Sequence, residues 1–215
     1  MSTALIIFAK APVAGVAKTR LIPALGAEGA AQLHSRLLEH TVKRAIESAC
    51  FPIYLFTPDN NPHPFIDYLL ATYPLVHKLQ EGVDLGERMK NALSSVLDIN
   101  VLESNDKGAL LIGSDCPSID VELLGECARV LERNDAVFLP AEDGGYTLVG
   151  FKENLQALGN VFADVEWGTA SVMQQTRDKL KQFHVKWCEP TCLWDVDRPE
   201  DLNRLALNFP QLYQR

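Results

Sequence analysis

Short continuous apolar runs alternate with longer amphipathic stretches from one end of the chain to the other. Strands covered on both faces read as unbroken apolar runs, and this alternation is that of βαβ units around a mostly parallel sheet. Seven strands are predicted: Thr3 to Phe8, Ile53 to Thr57, Leu75 to Leu79, Ala109 to Ile112, Ala136 to Leu139, Tyr146 to Phe151 and His184 to Trp187. After the first of them, Ala31, Leu33, Leu37, Leu38, Thr41, Val42, Ala45 and Ile46 recur at three- and four-residue spacing, which predicts one long helix. A second is marked by Leu85, Met89, Ala92, Leu93 and Val96, and Asp84 with Glu87 three places on reads as its capping box. Further helices fit Val121 to Arg133 and Ala170 to Phe183, and a last one is begun by Pro199. No Pro/Gly/Ser-rich linker or internal repeat interrupts the order, so one α/β domain over residues 1–215 is expected.

Composition narrows the class of partner. Apolar residues make up 47% and charged residues 22%, as in an ordinary globular protein. Acids outnumber bases 28 to 20, a net charge of -8, so a nucleic-acid backbone would meet repulsion over most of the surface. A small phosphorylated ligand stays possible wherever cations or a bound metal cluster in one cleft. The five cysteines (Cys50, Cys116, Cys127, Cys188, Cys192) show no zinc-ribbon spacing and read as free thiols of a cytoplasmic protein. The opening run Ala4 to Ala9 is too short for a signal segment or a bilayer span, so no membrane partner is expected.

In open α/β sheets a ligand sits beyond the carboxyl ends of the strands, which directs attention to the loops that follow them. The first loop, Lys10 to Arg20, sets Lys10, Lys18 and Arg20 around Gly15, a combination suited to phosphate oxygens. Pro12 and Ala17 stand where a Walker A loop needs glycine, and a solvated basic loop is the plain alternative. In the second, Gly113-Ser114-Asp115-Cys116-Pro117, an acid at a strand end could hold a hard divalent cation or could serve as an Asx-turn or helix cap. The third, Ala141 to Tyr146, pairs Asp143 with Gly144 and Gly145, where the backbone can approach a ligand and the acid can take a proton; Asp-Gly-Gly is also an ordinary hairpin turn. In the fourth, Asp195 and Asp197 alternate along an extended segment and can point to one side together, unless Asp197 only caps the last helix. His34 and His40 lie on the long helix, where a packed or solvated histidine is the common case. Trp167 could stack on a sugar or base or belong to the core, and Arg88 could reach a phosphate or pair with Asp84.

Taken in order, these loops resemble the nucleotide-diphospho-sugar transferase superfamily with its GT-A-like fold, and most of all a bacterial family of glycosyltransferase-like proteins of about this length, some linked to arsenosugar biosynthesis. The residues that carry the resemblance are Phe8-Ala9-Lys10-Ala11-Pro12 with Gly15 and Lys18-Thr19-Arg20-Leu21, Asp84-Leu85-Gly86-Glu87-Arg88-Met89, Gly113 to Pro117, Asp143-Gly144-Gly145-Tyr146, Trp167-Gly168-Thr169, and Asp195 to Leu202. The first loop is also similar to that of the phospholactate guanylyltransferase of deazaflavin biosynthesis. The resemblance implies a three-layer α/β/α sandwich. It implies nucleotide binding by Lys10, Gly15, Lys18, Arg20 and Arg88, and Mg²⁺ or Mn²⁺ on Asp115 with Asp195 or Asp197. Asp143 would orient or deprotonate a small-molecule acceptor seated near Gly144, Gly145, Tyr146 and Trp167. Two features leave the reaction open: Asp115 is followed by Cys116-Pro117 in place of an Asp-x-Asp, and the first loop has only Gly15 where nucleotidyltransferases are glycine-rich. Glycosyl transfer from a nucleoside-diphosphate sugar is the leading expectation. Nucleotidyl transfer from a nucleoside triphosphate to a phosphorylated acceptor is the second, and a nucleotide-binding module without turnover the third.

Overall fold

The computed structural model describes residues 2–61, 63–97, 107–152 and 158–213. Its strands are β1 (Ser2–Phe8), β2 (Ile53–Thr57), β3 (Leu75–Leu79), β4 (Lys107–Ile112), β5 (Ala136–Pro140), β6 (Tyr146–Lys152) and β7 (Trp187–Cys188). Its helices are α1 (Ile22–Glu47), α2 (Pro64–Thr72), α3 (Leu85–Leu97), α4 (Val121–Leu131), α5 (Leu158–Phe162), α6 (Val172–Gln182) and α7 (Asp201–Asn208). Among the described residues the strands form one seven-stranded sheet in the order β3-β2-β1-β4-β6-β5-β7. Pairing is parallel from β3 through β4 and between β5 and β7, while β6 runs antiparallel to β4 and β5.

The period-two alternation of strand side chains builds two cores at once. Ala4 and Ile6 of β1 join Phe56, Leu111, Phe138 and Phe151 under α3, α5 and α6 on one face. Leu5 and Ile7 join Leu55, Leu110, Ile112 and Leu139 under α1, α2 and α4 on the other. β2 and β5 are buried along their whole length, which is why their sequences are unbroken apolar runs. A third cluster closes one end of the sandwich: Leu21, Leu33 and Leu37 pack with Val196, Leu202 and Leu205. Each such buried leucine is worth about 1.5–3 kcal/mol of removal from water, so the C-terminal segment is tied firmly to α1.

The three-layer expectation holds, with local differences. The capping box at α3 forms: the Asp84 carboxylate accepts from the Glu87 N–H at 2.8 Å, and the Glu87 carboxylate reaches back to the Val83 N–H at 3.0 Å. The long helix starts earlier than its apolar periodicity shows, at Ile22, with a break at Gly26 (φ 72). The last strand is Trp187–Cys188 where His184 to Trp187 was expected; His184 has φ 54 and terminates the turn after α6, so pairing begins three residues later. Helices α2 and α5 were not expected.

Gly144, in the turn between β5 and β6, has φ +92, and a Cβ there would lie 2.1 Å from the Ala170 carbonyl oxygen. Its own carbonyl accepts from the Met173 N–H at 2.8 Å, so the turn is clamped on the start of α6. Gly144→Ala is expected to lower stability by about 2–4 kcal/mol through combined backbone strain and overlap. Denaturant unfolding checks this, and a loss below about 0.5 kcal/mol would mean that the turn is not held this way.

Candidate active site at the β1–β4 switch point

β1 is flanked by β2 on one side and β4 on the other, so the chain leaves it in two directions and opens a crevice at the carboxyl ends of β1 and β4. The loop after β1 enters this crevice. It turns at Val13 to Ala17, where the Val16 and Ala17 N–H groups donate to the Val13 carbonyl at 3.0 and 2.9 Å and Gly15 supplies φ +80. Lys18 then takes a left-handed conformation (φ 51, ψ 43) before a 3₁₀ turn, Thr19–Leu21, leads into α1. That conformation is costly for a residue with a side chain, by roughly 1 kcal/mol. It aims the lysine inward, where its side chain is only 4% exposed.

The Lys18 ammonium donates to Asp115 Oδ2 at 2.9 Å and to the Val196 carbonyl. Asp115 is not a helix cap, since Asp120 caps α4 by accepting from the Leu123 N–H at 2.8 Å. The Asp115 carbonyl accepts from the Val196 N–H at 2.9 Å, which docks the C-terminal segment on the loop after β4. Val196 is fully buried, and Asp195 and Asp197 flank it. Arg20 pairs with Asp197. Nor does Asp197 act as the cap of α7: the Asp201 carboxylate accepts from the N–H groups of Asp197 and Arg198.

Two chambers meet at Asp115. The larger, about 650 Å³, is lined by Lys10, Lys18, Arg20, Arg88, His34 and Asp197, together with Asp115. The smaller, about 180 Å³, is lined by Asp115, Cys116, Asp143, Gly145, Tyr146 and Asp195 among others. Lys10, Lys18, Arg20 and Arg88 therefore all line the larger chamber, alongside Asp115 and Asp197, whereas the described lining of the smaller holds Asp115, Asp143 and Asp195 and no cation. Asp143 is steadied by its own turn, accepting from the Gly145 N–H at 2.9 Å. Arg88 faces the large chamber while its Nε donates to the Gly82 carbonyl at 3.2 Å.

The electrostatics follow this arrangement. Burial opposes ionisation of Asp115, but Lys18 and His34 outweigh it and hold the carboxyl below its usual range. Asp195 goes the other way, pushed up to about 6 by burial and then by the neighbouring charges of Asp143 and Asp115. Burial pushes the Cys116 thiol up to about 12, so it remains protonated at neutral pH and is not a nucleophile. Among the described residues no three acid, histidine or cysteine groups form a ready-made metal cage.

Sequence-expected residues divide accordingly. Lys10, Lys18, Arg20, Arg88, Asp115, Asp143, Asp195 and Asp197 are brought together around the two chambers. Asp195 lines the smaller chamber, whereas Asp197 lines the larger one, where it is paired with Arg20, so the two do not share one chamber. Gly15 shapes the loop and Gly144 the β5–β6 turn. Trp167 packs against Phe162 and Tyr146, at ring-centroid distances of 6.3 and 6.4 Å, as part of the core. The Tyr146 ring also meets Phe138 edge-on at 5.2 Å. His34, read in the sequence as a packed or solvated helix residue, lines the large chamber.

This sheet, with its crevice at the switch point, has the fold of the nucleotide-diphospho-sugar transferases. The chain belongs to the family described as an uncharacterized protein conserved in bacteria (DUF2064), which matches residues 41–169. A search of curated protein sequences gives no match. Among solved structures, a "putative nucleotide-diphospho-sugar transferase" from Desulfovibrio desulfuricans is similar at 28% identity and TM-score 0.84, over 99% of this chain and 93% of that one. A cytidylyltransferase from Leptospira borgpetersenii is similar at 15% identity and TM-score 0.61, over 100% and 90%. The CMP:2-keto-3-deoxy-manno-octonic acid synthetase complexed with CTP is similar at 8% identity and TM-score 0.60, over 98% and 99%. The last two share the fold.

A raised acid has a stability consequence with a definite sign. Between the usual value of 3.8 and about 6, folded Asp195 keeps a proton that the unfolded chain has released, so folding stability falls as pH rises through that window. Asp195→Asn removes this slope. In the presence of a chelator it is expected to gain on the order of 1–2 kcal/mol over the wild type at pH 7, after discounting for solvent screening, and nothing near pH 4. Unfolding curves at the two pH values decide the matter, and a pH-independent difference would contradict it.

Proposed function

We propose that the protein is a divalent-cation-dependent glycosyltransferase that takes a nucleoside-diphosphate sugar in the cationic chamber and passes the sugar to a small acceptor in the carboxylate-lined one. The observation that carries this reading is the pairing of Lys18, in the larger chamber, with Asp115, which lines both chambers. The likeness to the Desulfovibrio protein supports the donor class. A cytoplasmic enzyme of small molecules, with no nucleic-acid or membrane partner, also suits a net charge of -8. Among the described residues no helix is long and apolar enough to cross a membrane.

The donor set fits a hard divalent cation. Asp115 and Asp195 offer carboxylate oxygens, Asp195 being raised first by burial and then by the charges of Asp143 and Asp115, and the buried His34 Nδ1 lacks a hydrogen-bond partner. Asp115 with Asp195, or with Asp197 once Arg20 is engaged elsewhere, would hold Mg²⁺ or Mn²⁺. When bound, the ion supplies charge neutralisation at the diphosphate. The chain's own residues do the rest. Lys10, Arg20 and Arg88 set a positive potential for the phosphates, and Lys18 is placed to meet charge growing on the leaving oxygen. Asp143, exposed beside the small chamber, takes the proton of the acceptor hydroxyl at its carboxylate.

One observation favours a second reading, transfer of a nucleotidyl group to a phosphorylated acceptor. The acids come from separate segments, Asp115 after β4 and Asp195 beyond β7, with Lys18 bonded between them, an arrangement that would also serve attack at an α-phosphorus. The products separate the two: nucleoside diphosphate from the first, pyrophosphate from the second. A module that only binds nucleotide would keep its affinity when Asp115 and Asp197 are both replaced by alanine, and would ignore metal.

With Mn²⁺ and a panel of nucleotide sugars and nucleoside triphosphates, the expected product is nucleoside diphosphate. Asp115→Asn is expected to lower kcat/KM by about 10²–10⁴, and Lys18→Met by about 10²–10³. Product analysis by chromatography checks both. Pyrophosphate as product would replace the first reading by the second, and full activity in Asp115→Asn would remove both.

A further inference from the structure

His34 projects from α1 into the floor of the large chamber and is 5% exposed. Its two ring nitrogens have different surroundings. Nε2 lies 3.0 Å from the Lys10 carbonyl oxygen, which can only accept, so the bond fixes the proton on Nε2. In the neutral ring Nδ1 then carries a lone pair. That nitrogen is buried without a hydrogen-bond partner, and it stands 3.8 Å from Asp115 Oδ1, too far for a hydrogen bond.

Asp115 is divided in the same manner. Oδ2 is taken by Lys18 at 2.9 Å, whereas Oδ1 has only a long contact of 3.4 Å from the Ser114 hydroxyl. Two lone-pair atoms, a buried ring nitrogen and an oxygen of a carboxylate that is 42% exposed to the chamber, thus face each other across a gap. Such an arrangement is unfavourable by itself and is relieved by a positive centre placed between them.

We propose that His34 is a ligand of the divalent cation, contributing a neutral lone pair at Nδ1 beside Asp115 Oδ1, and that the Lys10 carbonyl orients its ring for this role. The inference rests on the cation dependence proposed above. It explains why an imidazole stands here in place of another acid: Asp115, Asp195 and Asp143 already repel one another, and a neutral donor adds a ligand without adding charge. The tether to Lys10 also couples the ion to the phosphate-facing loop, because Lys10 opens that loop.

The test exploits the shapes of two amides. His34→Gln can place its amide N–H near the position of Nε2 and keep the Lys10 bond while losing the atom at Nδ1. His34→Asn can place its amide oxygen near Nδ1 and lose the tether. Mn²⁺ is titrated into wild type and both variants without nucleotide, and free Mn²⁺ is read by electron paramagnetic resonance. His34→Gln is expected to bind Mn²⁺ at least about tenfold more weakly than wild type, and His34→Asn to retain more of the affinity. Equal affinity in wild type and His34→Gln would overturn the proposal. Absence of Mn²⁺ binding by the wild type, alone and with a nucleoside diphosphate, would instead overturn the cation-dependent reading on which it rests. Should either variant fail to fold, ring-nitrogen chemical shifts of His34 in the wild type decide. The expected result is an Nε2–H tautomer whose Nδ1 resonance moves on addition of Mg²⁺ while those of His63 and His184 do not; an Nδ1–H tautomer would be contrary.

Discussion

The architecture of the site depends on one lysine being held in place. Lys18 reaches Asp115 from the loop after β1 and the Val196 carbonyl from the C-terminal segment, and so joins three stretches of chain far apart in sequence. A nearly buried ammonium is tolerable only where a carboxylate and a carbonyl both receive its protons. The left-handed backbone at Lys18, the turn at Gly15 and the Val196–Asp115 backbone bond all act to meet that condition. Without it the loop after β1 would have no reason to fold inward, and the crevice at the switch point would lose its positive wall.

Once that pair is set, charge separates by itself. Phosphate-seeking cations lie on one side of Asp115, where the one further acid, Asp197, is paired with Arg20, and Asp143 and Asp195 lie on the other, within a molecule whose overall charge is -8. Local clustering, not net charge, decides what a cleft can bind. The opposite directions in which Asp115 and Asp195 are shifted fit the same partition: burial raises both, but Lys18 outweighs it at Asp115, while at Asp195 neighbouring acids add to it. A cation-assisted transfer uses both properties, since one wall receives a polyanion and the other can take up a proton.

Much of the fold is legible in the sequence because each buried strand is an unbroken apolar run and each long helix has an apolar stripe. The helix α2 is not, because Pro64 and the polar residues ahead of it read as a loop, and its nine residues are too few for a period to emerge. The five residues of α5 are shorter still. The β7 strand holds two residues and is fixed by pairing with Ala136 and Val137, which no local pattern records. For the site, strand-end loops with Lys18, Asp115, Asp143, Asp195 and Asp197 stand out by position, since chemistry-bearing residues beyond parallel strands are rarely incidental. His34 does not, because helical spacing reveals that a residue faces inward and is silent on what it meets there. Trp167 and Gly144 have features of ligand-binding residues in sequence, yet their surroundings make them packing elements: the tryptophan lies among aromatic rings and the glycine lies against Ala170.

The convergence of these residues on a single bound nucleotide is tested most directly by a crystal structure of the protein with Mn²⁺ and a nucleoside diphosphate, using anomalous scattering to locate the ion. The account predicts an anomalous peak against Asp115, with the diphosphate in the chamber lined by Lys10, Lys18, Arg20 and Arg88. A nucleotide seated elsewhere, for example in the hollow of about 280 Å³ near Ala24, Gln32 and Leu33, with no ion at Asp115, would contradict it.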